Sequence, residues 1–161
     1  MALDHLLASL LARADRGARL VVMVSAALMV IVVFAQVVMR YVFNGSFDWA
    51  DEVSRIAFVW TIFLAIPLGL RDGTHVSIEL CVARLPTSLR LLVARLMSGI
   101  AAAMMAIVFW TTIGVALATW SERLGSINIT SSVFFFPVII GAFHSALHLA
   151  HLSLFPMEPR G

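Results

Sequence analysis

The chain has 161 residues, 61% of them hydrophobic and only 12% charged, and its mean hydropathy is +1.01. A water-soluble domain of this length has no use for so much apolar side chain, so the solvent implied is the bilayer. The net charge of +2 is small and its cations are all arginines, which implies no nucleic acid; the single cysteine, Cys81, excludes an internal disulfide and a cysteine-based metal cluster.

Four apolar runs follow in chain order. Arg13, Arg16 and Arg19 precede the first, which covers residues 20–39, is interrupted only by Ser25 and Gln36, and is closed by Arg40. At about 20 residues it exceeds the apolar part of a signal peptide, and no small-x-small cleavage site introduces a soluble domain, so it reads as a retained span. The second run, residues 56–70, covers only about 22 Å as a helix, short of a hydrocarbon core of roughly 30 Å. It must recruit the polar turn at residues 51–55. The third run covers residues 96–120. The fourth starts near Val133 and fades into the histidine-bearing "FHSALHLAHLSLF". The expected spans are therefore about 20–42, 51–70, 96–120 and 132–154, with kinks at Pro67 and Pro137.

The segment between the second and third spans is patterned. "VSIELCVARLP" places Ile78, Cys81, Val82 and Leu85 at i, i+3, i+4, i+7, a short amphipathic helix ended by Pro86. Thr87 or Ser88 can then cap a helix that continues into the third span, about 50 Å in all, which must tilt, bend near Ser98 and Gly99, or extend beyond the membrane. The fold expected is an all-α membrane protein, a single domain over residues 1–161 with four transmembrane helices plus short interfacial amphipathic helices. Arginines crowd the N-terminal segment and the segment holding Arg71, Arg84, Arg90 and Arg95, whereas the opposite side has Arg40, Arg55 and Arg123. Both termini are expected in the cytoplasm.

Two polar constellations interrupt this apolar plan. In "FDWADEVSRIAFVW", Trp49, Val53, Ile56 and Trp60 form one helical stripe, Asp48, Glu52 and Arg55 lie on another side, and Asp51 stands at i, i+4 from Arg55. One reading is a helix start capped by Asp48, with a snorkelling arginine and a belt tryptophan. The other is a helix whose charges face a second membrane protein, because a charge at membrane depth costs roughly 2.5 to 3.5 kcal/mol unless paired. His144, His148 and His151 fall at i, i+4, i+7 on the fourth span. No carboxylate or cysteine accompanies them on that helix, so they read as an interfacial polar face and no metal is expected. Ser98, Ala102 and Ala106, with Gly99 and Ala103, form a ridge of small residues that can pack inside the bundle or against a partner. The glycosylation sequon at Asn128 has no secretory context to support it.

Several activities lose their footing. No carboxylate lies in the middle of any apolar run, where a small proton-coupled exporter needs one. No nucleotide loop, catalytic triad or nucleophile elbow is present. The expectation is a non-enzyme with no catalytic residue and no cofactor.

The stretch "RYVFNGSFDWADEVSRIAFVWTIFLAIPLGLRDGTHVSIEL" resembles the small membrane subunit of tripartite ATP-independent periplasmic (TRAP) transporters. That family's arginine closing the first span, its Trp-x-x-Glu-x-x-Arg turn, second tryptophan, and glycine, histidine and acid after the second span match Arg40, Trp49, Glu52, Arg55, Trp60, Gly73, His75 and Glu79. Ala65 stands where a glycine is usual, and Glu79 where aspartate is frequent. The resemblance implies a multi-pass subunit of the bacterial inner membrane. Its implied partners are membrane lipid, a large membrane subunit and a periplasmic substrate-binding protein, and the import is of organic acids driven by sodium. It also implies that the large subunit carries the substrate and sodium sites, and that Arg40, Trp49, Asp51, Glu52, Arg55, Trp60 and His75 serve the subunit interface. The alternatives are a haem- or quinone-associated anchor subunit of a respiratory complex and a stand-alone small exporter.

Overall fold

The computed structural model of the chain describes residues 2–71 and 87–154. The expected amphipathic helix in "VSIELCVARLP", together with Gly73, His75 and Glu79, lies outside them. The described residues form four long helices, α1 (Ala2–Val42), α2 (Ala50–Arg71), α3 (Thr87–Ala118) and α4 (Phe136–Leu154), with one 3-10 turn (Ser131–Phe134) leading into α4. Each is long and apolar enough to cross a bilayer, so the chain is an all-α multi-pass membrane protein.

The ends of these helices follow from local chemistry. α1 runs without interruption through Arg13, Arg16 and Arg19, so its 41 residues extend well before the apolar run begins. It stops at Val42 because Asn44 takes a positive φ of 52°, which lets the Gly45 amide reach back to the Met39 carbonyl at 3.1 Å. α2 starts at Ala50 on a turn closed by the Ala50 amide and the Phe47 carbonyl. Asp48 is exposed and makes no hydrogen bond among the described residues, so the expected Asp48 cap is not formed. α3 is continuous through Ser98 and Gly99, about 48 Å for its 32 residues. Pro137 does not kink a span as expected. It is the second residue of α4, where the missing N–H would have no helical partner anyway.

The helices form a layer rather than a closed ring. α1 packs along α2, α2 along α4, and α4 along α3, whereas α1 and α4 meet only locally. The spatial order is thus α1, α2, α4, α3. The inner helix α4 is the most enclosed, with 39% of its span buried, against 6% for the outer helix α3. Gly141 permits the contact between the two inner helices: a Cβ there would overlap the Phe63 carbonyl oxygen of α2. The ridge of small residues on α3 is open over part of its length. Ala103 and Ala106 are exposed, and a Cβ at Gly99 would meet nothing.

Polar contacts set the directions. Gln36 late in α1 meets Asp51 early in α2, and Asp15 early in α1 meets His148 late in α4. Glu52 at the start of α2 meets the link that precedes α4. The start of α1 and the end of α4 therefore share one face of the layer. The starts of α2 and α4 share the other.

Candidate functional site

The charged turn at the start of α2 is built by three elements. Glu52 is held in the first helical turn, where its charge complements the helix dipole. Its carboxylate accepts the backbone amides of Ser126 (Oε1, 3.0 Å) and Ile127 (Oε2, 3.0 Å). Both oxygens are thereby engaged on the α3–α4 link. That link is itself folded tightly. The Leu124 amide donates to the Ile129 carbonyl at 3.0 Å, the Ser131 amide to the Glu122 carbonyl at 2.9 Å, and Arg123 and Thr130 form an isolated antiparallel bridge. Thr130, the hydroxyl residue of the sequon, caps the 3-10 turn and donates to the Trp120 carbonyl at 2.7 Å. Ser132 is fully buried and donates to the Ala116 carbonyl of α3 at 2.6 Å. The hairpin thus presents two adjacent N–H groups to one carboxylate, and the charge strengthens both bonds.

The neighbouring acid is also engaged within the chain. Gln36, one of the two polar interruptions of the first apolar run, donates from Nε2 to Asp51 Oδ1 at 3.0 Å. This ties the polar turn of α2 to α1. Asp51 is not paired with Arg55 across its own helix turn. Arg55 is exposed and has no ion pair among the described residues. It lines a shallow groove between α1 and α2 with Met29, Val33, Asp51, Ser54 and Phe58. Arg40, in the last turn of α1, is exposed on the same face of the layer. Trp49 is 43% exposed, with its ring 5.4 Å from that of Phe47. Trp60 lies half-buried three turns into α2. The structure therefore gathers Arg40, Trp49, Asp51, Glu52 and Arg55 at one end of the layer. His75 lies outside the described residues.

The opposite end carries a second polar cluster. His144 and His148 are buried, 6% and 8% exposed, and do not form the interfacial polar face expected for them. Their Nε2 atoms lie 3.0 and 2.9 Å from one oxygen, Oδ1 of Asp15, itself 2% exposed. Asp15 comes from α1, 133 residues before His148. No carboxylate stands near these histidines on α4, but the fold brings one from α1. Asp15 does not stand out in the sequence because it sits among arginines before the first apolar run. The signal available was the i, i+4 spacing of the histidines facing an antiparallel helix. A haem reading calls for axial histidines from facing helices, whereas here both buried histidines come from α4 and turn to one carboxylate.

The sequence profile of a family described as "Tripartite ATP-independent periplasmic transporters, DctQ component" matches residues 29–155. A Haemophilus influenzae protein named as a TRAP transporter small permease protein is 43% identical over 60 residues, which are 37% of this chain and 37% of that protein. A second Haemophilus influenzae protein of the same name is 23% identical over 128 residues, covering 80% of this chain and 78% of its own length. The "C4-dicarboxylate TRAP transporter small permease protein DctQ" of Vibrio cholerae is 32% identical over 66 residues, 41% of this chain and 28% of that protein. The chain thus spans well under half the length of the first and third of these relatives.

Proposed function

The chain belongs to the DctQ component family of TRAP transporters, and from that membership we propose that it is the small membrane subunit of a sodium-driven, binding-protein-dependent importer of organic acids. The observation that carries this reading is the family match over residues 29–155, which takes in the charged turn and all of α2 and α4. The substrate class proposed is a dicarboxylate or sugar acid, in keeping with the C4-dicarboxylate in the name of the Vibrio cholerae relative. The partners proposed are a large membrane subunit and a periplasmic substrate-binding protein. The site proposed is the inner membrane of a bacterium, with both termini cytoplasmic. Arg13, Arg16 and Arg19 of α1 and the first turns of α3 lie on the face that would then be cytoplasmic.

The role proposed is that of a scaffold, not an enzyme. Asp51 and Glu52 are engaged inside the chain, which leaves neither of them free to follow a coupling ion. Arg55 is exposed on a groove between two helices, where a charge facing lipid would be costly and one facing a partner's acid would be compensated. The large subunit would cover that groove, with Arg40 and Trp49 beside it.

The test is the substitution Arg55→Ala in the assembled transporter. It is expected to weaken co-purification with the large subunit, with uptake falling in proportion to lost complex. Substrate affinity of the binding protein is expected to stay unchanged. An intact complex that no longer transports would sink the scaffold role in favour of a direct part in transport. An unchanged complex with unchanged uptake would leave Arg55 as a snorkelling side chain.

A further inference from the structure

The cluster at the opposite end of the layer has no part in that scaffold role. Asp15, His144 and His148 are each more than nine-tenths buried. One ligand atom from each, Asp15 Oδ1 and the two Nε2 atoms, lie within 4.8 Å of one another. His148 makes an aligned hydrogen bond to Oδ1 at 2.9 Å. His144 Nε2 stands 3.0 Å from the same oxygen yet has no hydrogen-bond partner, so a buried ring nitrogen points at the cluster unsatisfied. A buried polar atom of this kind calls for a ligand.

We propose that Asp15, His144 and His148 form a binding site for one divalent transition-metal ion of the zinc type, which staples the start of α1 to the end of α4. Two histidines one helical turn apart offer their nitrogens on one side of the helix, a spacing that suits a single ion. Metal–ligand bonds of about 2.0 to 2.2 Å in a tetrahedral site place ligand atoms roughly 3.3 Å apart, so the observed N–O separations of 2.9 and 3.0 Å open slightly, while the two nitrogens, within 4.8 Å of one another, adjust toward the same spacing. An ion at the centre takes up both nitrogen lone pairs, including that of His144, which a single carboxylate oxygen does not serve by a hydrogen bond. Two imidazoles and one carboxylate suit zinc and its neighbours in the transition series, whereas sodium, magnesium and calcium favour oxygen ligands. Three protein ligands leave the fourth position to water.

The fold gives the staple a purpose. α1 docks along α2 and meets α4 only locally, and this cluster is one of the places where it does. Closing it would fix the part of α1 that precedes the apolar run.

The experiment uses the full chain in detergent, purified through a tag without histidines and stripped with a chelator. Zinc is titrated against a competing indicator, and bound zinc is counted by elemental analysis after desalting. One equivalent is expected, with X-ray absorption reporting two imidazoles and N/O ligation. Asp15→Asn and His148→Gln are each expected to weaken zinc affinity at least tenfold. Zinc is expected to raise the unfolding midpoint of the wild type and not that of Asp15→Asn. Absence of stoichiometric zinc in the wild type overturns the site whether or not the variants fold. So does zinc held with equal affinity by the wild type and Asp15→Asn, which would mark binding at surface histidines.

Discussion

Removing the carboxylate of Glu52 tests whether this acid is an internal clamp. In Glu52→Ala the Ser126 and Ile127 amides lose their shared acceptor. Hydrogen bonds to charged groups contribute about 1.5 to 3 kcal/mol each when shielded. Ser126 is exposed, so water replaces much of its bond, whereas Ile127 is half-buried and its amide is resolvated less completely. The expected loss is about 2 kcal/mol, or roughly 4 to 8 °C in unfolding midpoint for a chain of this size. Glu52→Gln keeps one neutral acceptor oxygen and should lose about half as much.

The assay is unfolding of the purified chain in mild detergent, followed by tryptophan fluorescence. Trp120 is a useful reporter because its carbonyl accepts from Thr130 in the hairpin that Glu52 holds. Capture of the large subunit is measured in parallel. If Glu52 is a clamp, stability and capture fall together. If Glu52→Ala unfolds within about 0.5 kcal/mol of the wild type, the clamp contributes no more than an ordinary surface residue and the reasoning fails. Lost capture with unchanged stability would mean that the carboxylate faces outward.

Three further outcomes are expected. Gly141→Ala should destabilise by about 1 to 3 kcal/mol in the same unfolding assay, because its Cβ overlaps the Phe63 carbonyl and a backbone atom yields less readily than a side-chain tip; wild-type stability would show that α2 and α4 separate at no cost. Gln36→Leu should lower stability by about 1 kcal/mol, as Asp51 loses a hydrogen bond that its charge strengthens, and Gln36→Glu should cost more by setting two acids together. Ser132→Ala, which removes a buried hydroxyl from the Ala116 carbonyl, should cost about 1 kcal/mol and speed hydrogen exchange at the Leu124 and Ser131 amides of the hairpin.

The four spans were legible because their signal is local. A run of apolar residues long enough to cross the bilayer is a property of consecutive positions, and the bilayer enforces helix over it. The charged turn was legible as a polar cluster for the same reason: the second apolar run is too short, so the acids before it must be accommodated somewhere. Their partners were not legible. Glu52 is satisfied by amides 74 and 75 residues away, and Asp51 by Gln36 across the helix pair. Backbone N–H groups carry no residue identity, so no motif in the hairpin announces them. Pro137 was misplaced for a related reason. A proline inside an apolar run reads as a kink until the 3-10 turn at Ser131–Phe134 supplies a new helix start just before it.

The histidines show how burial depends on layer order as much as on sequence. His144 and His148 occupy positions that suit an interfacial polar face if α4 is an outer helix. α4 is instead an inner helix, enclosed by α2 and α3, and α1 extends far enough beyond its apolar run to reach the histidines from the remaining side. That extension is what converts a polar face into a buried pair. The three arginines that mark the start of the first span read as a boundary, yet the helix continues past them, and the acid between Arg13 and Arg16 turns inward while the arginines on either side stay toward solvent. A single buried acid in a basic helical segment is therefore the feature that distinguishes a helix meeting a neighbour from one that merely leaves the membrane, because an acid buried without hydrogen bonds would carry a desolvation cost that nothing else in that segment offsets.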